Sequence, residues 1–234
     1  MGKPAFMIVG AMRSGTTSLY ASVCAHSRVG RARNKEINYY WKWYESHDFE
    51  WYQSQFSKGY TGEASHNYML FSDVCSERIH ADFPNIKLIA ILRNPIDRAY
   101  SHYHLQKQWD DLSFENAIAA EPERLASFDP FSFHYTRKAY LKRGDYAAQL
   151  QPYISLFGKE NILVVQAEKF FKERQTVLAR IFSFLELEPE EIEPIPLQKI
   201  EYPPMDKDTR YLLNAYFVMK NENLYDLIGE SFDW

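Results

Sequence analysis

The stretch AFMIVGAMRSGTTSL, residues 5–19, predicts a buried strand, a tight loop and a helix in direct succession. Its first part, Ala5–Val9, is a continuous apolar run, which is typical of a strand covered on both faces in a parallel sheet. Glycines at positions 10 and 15 permit a tight turn, and a helix with one apolar stripe is predicted from Thr16. Helix N–H groups and a positive dipole end are therefore expected beside this loop, and both favour an anion.

Further elements of the same kind follow along the chain. Two more apolar runs, Lys87–Leu92 and Asn161–Gln166, predict buried strands. A helix is predicted after the Asn-Pro dipeptide at 94–95, which reads as an N-cap followed by a first-turn proline. Residues 170–185 predict another helix, and a last one is predicted from about Asp206. On its apolar side we expect Leu212, Leu213, Tyr216, Phe217 and Leu224.

Strands that alternate with helices predict the fold class. We expect an α/β fold with a P-loop-like parallel β-sheet flanked by helices, arranged as a three-layer sandwich. The sequence contains no repeat, low-complexity tract or linker, so a single domain over residues 1–234 is predicted. The acidic, proline-bearing segment 186–204 predicts a surface loop.

Composition and charge exclude several classes of protein. The chain has 234 residues, 16% aromatic residues and a net charge of −4, whereas disorder needs few aromatics and a high net charge. A general nucleic-acid binder is expected to be basic overall. The charge is unevenly divided, because residues 1–43 hold seven basic and one acidic residue while residues 181–234 hold four basic and twelve acidic residues. A basic N-terminal segment in an acidic chain favours a local anion site over a long nucleic acid.

Cysteine content and hydrophobicity predict the compartment. Cys24 and Cys75 are too few for a disulfide framework or a zinc site, so no metal is expected and a reducing compartment is predicted. The N-terminal apolar run is too short for a signal peptide or a membrane span. We expect a cytoplasmic protein.

The loop at residues 10–17 has the spacing of a P-loop but departs from it in one respect. Thr16 stands where a nucleotide triphosphatase has the lysine that reaches the β- and γ-phosphates, and positive charge comes from Arg13 inside the loop. From the loop alone, an anion site and a ligand-free turn remain equally open. A P-loop kinase or NTPase stays as one alternative, and a non-catalytic nucleotide-binding scaffold as another.

Four separated segments stand out: RSGTTSL at 13–19, KEINYY at 35–40, LRNPIDRAYSHYH at 92–104 and YLKRGDY at 140–146. Together they resemble segments of the sulfotransferases that use PAPS (3′-phosphoadenosine 5′-phosphosulfate). RSGTTSL at 13–19 resembles the family's 5′-phosphosulfate loop, and LRNPIDRAYSHYH at 92–104 resembles its 3′-phosphate segment. YLKRGDY at 140–146 resembles the Arg-Gly-x-Tyr element. KEINYY at 35–40 resembles the Lys-Glu-x-His-Phe-Phe segment of the heparan sulfate sulfotransferases and their bacterial relatives. The resemblance covers nearly the whole chain and implies the sulfotransferase fold in a bacterial member.

The resemblance also implies a reaction and a cofactor site. PAPS would give its sulfuryl group in line to an acceptor hydroxyl or amine, with release of PAP. Arg13 would stabilise the departing phosphate oxygen, while Arg93 and Ser101 would hold the 3′-phosphate. The implied cofactor-binding residues are Arg13, Ser14, Gly15, Thr16, Thr17, Ser18, Arg93, Ser101, Arg143, Gly144 and Tyr146.

A general base must take the acceptor's proton. Glu36 matches the catalytic glutamate of the heparan sulfate relatives, whereas the cytosolic branch uses histidine, which makes His66 and His104 rivals. His66 lies in GEASHNY, residues 62–68, where the family usually reads Gly-Glu-Lys-Ser/Thr-Pro-x-Tyr, so Ala64 replaces the family's lysine. From the residues alone, a surface ion pair of Glu36 with Arg33 or Lys35 is favoured over a catalytic role.

The acceptor is predicted by class only. Lys35, Tyr39, Tyr40 and Trp41 are the expected substrate-binding residues, because aromatic faces stack on sugars and flat rings. A small molecule, a glycan or a lipid-like chain fits this description. Lys199 is a weak candidate for a further cofactor contact, since the family's Lys-Gly-Arg-like element is missing there.

Overall fold

The computed structural model describes residues 2–195 and 201–234. The chain divides into two compact units, one of Met1–Leu92 with Gln149–Leu197 and the other of Arg93–Ala148 with Gln198–Trp234. The prediction of a single domain over residues 1–234 stays a prediction, and Lys199 lies outside the described residues.

The first unit contains the sheet. Its described residues form five strands in the spatial order β2-β3-β1-β4-β5, and the pairs β1–β3, β1–β4, β2–β3 and β4–β5 are all parallel. The strands are β1 Pro4–Gly10, β2 Val29–Arg31, β3 Tyr60–Ala64, β4 Lys87–Leu92 and β5 Ile162–Gln166. Because the strands are parallel, their carboxyl ends share one edge of the sheet, where ligands bind in open α/β sheets.

Helices of different length connect and flank the strands. In the described part of the chain the α-helices are α1 Thr16–Val23, α2 Phe49–Gln53, α3 Asn67–Leu70, α4 Ser72–Asp82, α5 Pro95–Gln106, α6 Phe114–Ala119, α7 Glu121–Ser127, α8 Phe133–Lys138, α9 Tyr146–Phe157, α10 Ala167–Lys172, α11 Arg174–Phe184 and α12 Lys207–Ile228. Single turns of other helix types occur at Tyr39–Trp43, Lys107–Trp109, Lys142–Gly144 and Lys159–Asn161. None of the described helices is long and apolar enough to cross a membrane.

Helices cover both faces of the sheet in the first unit. Alternate residues of β1, such as Phe6 and Ile8, pack into a core with α1 and α11. On the opposite face α3 contacts β1, and the Tyr153 hydroxyl of α9 donates a 2.9 Å hydrogen bond to the Tyr68 carbonyl of α3. The predicted α/β class with a parallel sheet between helical layers is confirmed.

The second unit has its own smaller core. Ile96, Ala99 and Tyr103 of α5 pack there with Leu213 and Phe217 of α12. Asn94 caps α5, since its side-chain oxygen accepts hydrogen bonds from the Ile96 and Asp97 N–H groups at 3.0 and 3.4 Å. Asp206 caps α12 in the same way, with a 2.9 Å hydrogen bond from the Thr209 N–H.

Some predicted elements differ from the structure. Of the stripe predicted for α12, Leu212 and Tyr216 are exposed, because they lie away from the helix face centred on Leu213 and Phe217. The helix predicted over 170–185 is two helices, α10 and α11, which are separated at Glu173. Residues 186–195 and 201–204 form no helix or strand, as predicted for the acidic loop.

Candidate active site

The loop between β1 and α1 presents backbone and side-chain donors at the carboxyl edge of the sheet. Gly15 is the N-cap of α1 and supplies no side-chain acceptor, so it leaves the first N–H groups of the helix uncapped. Ser14 is 1% exposed, and among the described residues no group hydrogen-bonds its Oγ. Thr16 is buried, Thr17 is exposed and Ser18 is partly exposed. An anion with oxygen acceptors fits this loop, because it would satisfy both the N–H groups and the Ser14 hydroxyl.

The backbone of this loop is tightly constrained. Arg13 has φ 66° and Gly15 has φ 97°, both in the left-handed region. A Cβ atom at Gly15 would lie 2.6 Å from Cζ of Phe171 in α10, so this position needs glycine for space as well as for its φ angle. Left-handed backbone at a non-glycine residue such as Arg13 is uncommon, and such residues concentrate at functional sites.

The expected base, Glu36, lies in a group of three charged or titratable side chains. Its Oε1 is 3.0 Å from Nδ1 of His66 and 2.8 Å from Nζ of Lys35. His66 is the second residue after the end of β3 and directly precedes α3, and Met69 of α3 packs against Gly10 at the end of β1. The structure therefore brings Lys35, Glu36 and His66 together, and His66 adjoins α3, which packs against the start of the phosphate loop.

The surroundings of Glu36 alter its acidity. Burial alone would raise its pKa, but the hydrogen bond and charge of His66, with the charge of Lys35, outweigh burial and lower the pKa to about 2. Glu36 is therefore ionised at neutral pH. A carboxylate of such low pKa is a weak proton acceptor when it acts alone.

The aromatic residues after Glu36 lie in the interior. Tyr39 stacks on Tyr52 at 4.7 Å between ring centroids, and Trp41 stacks on Phe71 at 5.0 Å. Tyr40 has no exposed surface, and its hydroxyl donates a 3.0 Å hydrogen bond to Asp82. The expectation that these rings form a wall for the acceptor is thus corrected, because their faces are covered by other side chains of the chain itself.

The second unit carries the residues expected to hold the 3′-phosphate. Arg93 directly follows β4 and is partly exposed, while Ser101 is buried on α5. The Tyr146 hydroxyl donates a 2.8 Å hydrogen bond to the Arg93 carbonyl, so two of the predicted cofactor residues contact each other. Tyr146 is itself buried, which makes it a support for the backbone of Arg93.

Arg143 and Gly144 lie in a buried turn of the second unit. An Arg143 guanidinium nitrogen donates a 3.2 Å hydrogen bond to the Thr136 carbonyl, and a Cβ atom at Gly144 would lie 2.8 Å from the Phe217 ring. The sequence reasoning missed Glu121, whose buried carboxylate accepts hydrogen bonds from the Leu141 and Lys142 N–H groups at 2.6 and 2.8 Å. Its only sequence signal is an acidic residue at the start of a helix, which is common.

His104 lies in an aromatic cluster of the second unit. Its ring stacks on Tyr202 at 4.6 Å and meets the edge of Tyr100 at 4.5 Å. Burial, with the charge of Lys107, lowers its pKa, so the neutral imidazole is favoured. In residues 2–195 and 201–234 no group of three or more His, Cys, Asp or Glu side chains is arranged to hold a metal ion.

Comparison with known proteins agrees with the fold described above. The profile of the sulfotransferase domain family matches residues 3–207. A sulfotransferase from Alicyclobacillus acidocaldarius, known from its crystal structure, is 27% identical with a TM-score of 0.82 and is matched over 99% of this chain and 98% of that one. Mouse sulfotransferase SULT7A1, solved in complex with PAP, is 15% identical and shares the fold, with a TM-score of 0.54 over 81% of this chain and 61% of that one.

Human bifunctional heparan sulfate N-deacetylase/N-sulfotransferase 3 is also similar to this chain. It is 25% identical over 96% of the chain, and the chain spans 30% of the length of that curated relative. Because the family profile covers most of the chain, the chain belongs to the sulfotransferase family. The family predicted from the four sequence segments is confirmed, and the kinase alternative is not favoured.

Proposed function

We propose that this chain transfers the sulfuryl group of PAPS to an acceptor hydroxyl or amine and releases PAP. The observation that carries the proposal is the loop before α1, where the buried Ser14 hydroxyl has no partner among the described residues and Arg13 supplies the positive charge. These residues fit a phosphosulfate, because its oxygens accept hydrogen bonds and its charge favours a helix N-terminus. Family membership supports the same reading.

PAPS, when bound, supplies an activated sulfuryl group whose transfer places negative charge on the phosphate it leaves. Arg13 and the amides of Thr16 and Thr17 stabilise that charge. Arg keeps its proton under these conditions, so Arg13 acts through charge and hydrogen bonds. Arg93 and Ser101 remain the predicted ligands of the 3′-phosphate, and Arg143 and Gly144 remain predicted to complete the cofactor site.

Removal of the acceptor's proton falls to the Glu36–His66 pair. The Glu36 carboxylate accepts a hydrogen bond from His66 Nδ1–H, which orients the imidazole and stabilises it when it is protonated. An imidazole ordinarily titrates near pH 6.5 and is therefore a better proton acceptor at neutral pH than a carboxylate of pKa about 2. Lys35 is the remaining candidate for contact with the acceptor.

A ligand-binding experiment separates this function from its alternatives. At about one hundred times its dissociation constant, a ligand stabilises the folded protein by about 2.7 kcal/mol. We expect PAP to raise the melting temperature, whereas ATP with Mg²⁺ is expected to have a much smaller effect. Stabilisation by ATP with Mg²⁺ in the absence of a PAP effect would contradict the proposal.

Transfer itself is measured with ³⁵S-labelled PAPS and a panel of acceptors that carry hydroxyl or amino groups. Label in an acceptor supports the enzyme, while PAP binding without transfer to any acceptor favours the non-catalytic scaffold. The acceptor that takes the label identifies the substrate class.

A further inference from the structure

Glu63 is a buried carboxylate that the proposed reaction does not use. It lies on β3 and has no exposed surface. The hydroxyls of Tyr52 and Tyr68 donate hydrogen bonds to its Oε1 at 2.7 and 3.1 Å, and the Ser65 hydroxyl donates one to its Oε2 at 2.6 Å. A backbone hydrogen bond from Ile37 adds a fourth donor. An interior carboxyl group with four donors is costly to bury, so its retention calls for a role.

The hydrogen bonds around Glu63 lead to the segment that carries Glu36. Ile37, which donates to Glu63, is the next residue after Glu36. The N–H of Asn38 donates a 3.0 Å hydrogen bond to Oγ of Ser65, whose own proton goes to Glu63. The N–H of Ala64 donates to the carbonyl of Lys35 at 3.0 Å. The backbone on both sides of Glu36 is therefore attached to the end of β3.

Asn38 shows why this attachment matters. Its φ of 58° is left-handed, and the chain turns there from the segment of Glu36 into the turn Tyr39–Trp43, whose first three residues are buried. Such a conformation persists only where the surroundings hold it. Two hydrogen bonds stabilise this conformation. The Ser65 hydroxyl accepts one from the Asn38 N–H, and the Trp41 indole donates one of 2.8 Å to Oδ1 of Asn38.

We propose that Glu63 is a positioning residue, which acts with Ser65 to fix the backbone of residues 35–38 and so to hold the Glu36 carboxylate against His66. The inference rests on the proposed function, because it assigns Glu63 to the support of the Glu36–His66 pair. His66 follows Ser65 directly, so one short segment fixes both members of the pair. Burial raises the pKa of Glu63 to about 7 against the opposing hydrogen bonds, so its ionised form depends on those donors.

Amide hydrogen exchange tests the attachment directly. In Ser65→Ala and Glu63→Gln we expect the amides of Ile37 and Asn38 to exchange roughly tenfold faster or more, because an acceptor is lost or weakened. Ser76→Ala is the matched control for Ser65→Ala. Ser76 is also buried in the first unit, and no described residue hydrogen-bonds its Oγ, so exchange at 37 and 38 is expected to stay unchanged.

Activity measurements separate positioning from general stability. We expect kcat to fall by about ten- to a hundredfold in Ser65→Ala and Glu63→Gln, because misplaced catalytic groups lose rate steeply. The dissociation constant of PAP is expected to change by less than about twofold. A parallel loss of PAP affinity and kcat, or exchange no faster than in Ser76→Ala, would overturn the proposal. Absence of transfer by the unaltered protein would instead remove the proposed function, and the exchange result would still decide the attachment.

Discussion

Nδ1 of His66 lies 3.0 Å from Oε1 of Glu36, although thirty residues separate them in the chain. The contact forms because β3 ends at Ala64 and carries the next residues to the carboxyl edge of the sheet, beside the segment that holds Glu36. Each residue was a candidate base on its own. The proposed reaction gives the two residues one shared role, in which the carboxylate orients the imidazole and stabilises its protonated form.

A double-mutant cycle tests this shared role. We expect Glu36→Gln and His66→Ala each to lower kcat by about 10²- to 10⁴-fold, and the double variant to lose little more than either single one. Glu45→Gln is the control, because Glu45 is an exposed carboxylate that pairs with Arg78 elsewhere in the unit. Effects that multiply in the double variant would show that the two residues act independently.

The pH dependence of stability reports on the same contact. The pKa of Glu36 is lowered from 4.5 to about 2, so its ionisation stabilises the fold above pH 4.5, and that contribution is lost as the pH falls through 2. Between about pH 6 and about pH 2.5, the gap in unfolding free energy between the native protein and Glu36→Gln should narrow. Urea denaturation at several pH values measures it, and a gap independent of pH would refute the assigned shift.

Arg13 is expected to act through its charge. Arg13→Ala should lower kcat/KM by about 10²- to 10³-fold, as expected when one donor to a developing anion is lost. Arg13→Lys keeps the charge without the planar fork and should lose less than about tenfold. Arg28→Ala removes an exposed arginine of the same unit and should leave turnover unchanged. Equal losses in the alanine and lysine variants would exclude charge as the main contribution.

Ser14 and Ser22 allow a matched comparison of two serine-to-alanine variants. Both are buried, and in the described part of the chain neither Oγ has a hydrogen-bond partner, but only Ser14 lies in the loop. Ser14→Ala should raise the dissociation constant of PAP by about tenfold without lowering the stability of the unliganded protein. Ser22→Ala should leave PAP affinity unchanged. Isothermal titration calorimetry measures both, and equal affinities of the two variants would contradict a ligand contact at Ser14.

Alanine substitutions at Gly15 and Gly59 distinguish the loss of stability caused by backbone strain from the loss caused by steric crowding. Both have positive φ angles, but among the described residues no atom lies within 4 Å of a Cβ at Gly59, whereas Phe171 crowds Gly15. Gly59→Ala should cost about 1 kcal/mol of stability and Gly15→Ala about 1–3 kcal/mol more. Adding Phe171→Ala to Gly15→Ala should recover most of that difference. Equal costs at the two glycines would show that Phe171 does not constrain the loop.

Local sequence patterns predicted the strands at the centre of the sheet. β1, β4 and β5 are continuous apolar runs, and their predicted bounds agree with the structure within one residue. β2 and β3 gave no such signal. Val29–Arg31 is only three residues long, and Tyr60–Ala64 contains Gly62 and Glu63 in place of an apolar run. Their strand conformation comes from pairing with neighbours that are distant in sequence.

The sequence by itself determined the strand, loop and helix of residues 5–19, the N-cap at Asn94 and the helix start near Asp206, because each depends on residues close together in the chain. The family followed from four short segments, each of which is recognised from contiguous residues. Only the tertiary structure decided that Glu36 contacts His66, that Tyr39 and Tyr40 are interior, and that Glu63 is buried among four hydrogen-bond donors. The acidity of Glu36 depends on burial and on charges from other segments, and no local pattern encodes these. Properties that depend on residues adjacent in the chain can thus be predicted from the sequence. Contacts, burial and pKa shifts that depend on packing between distant segments can be obtained only from the tertiary structure.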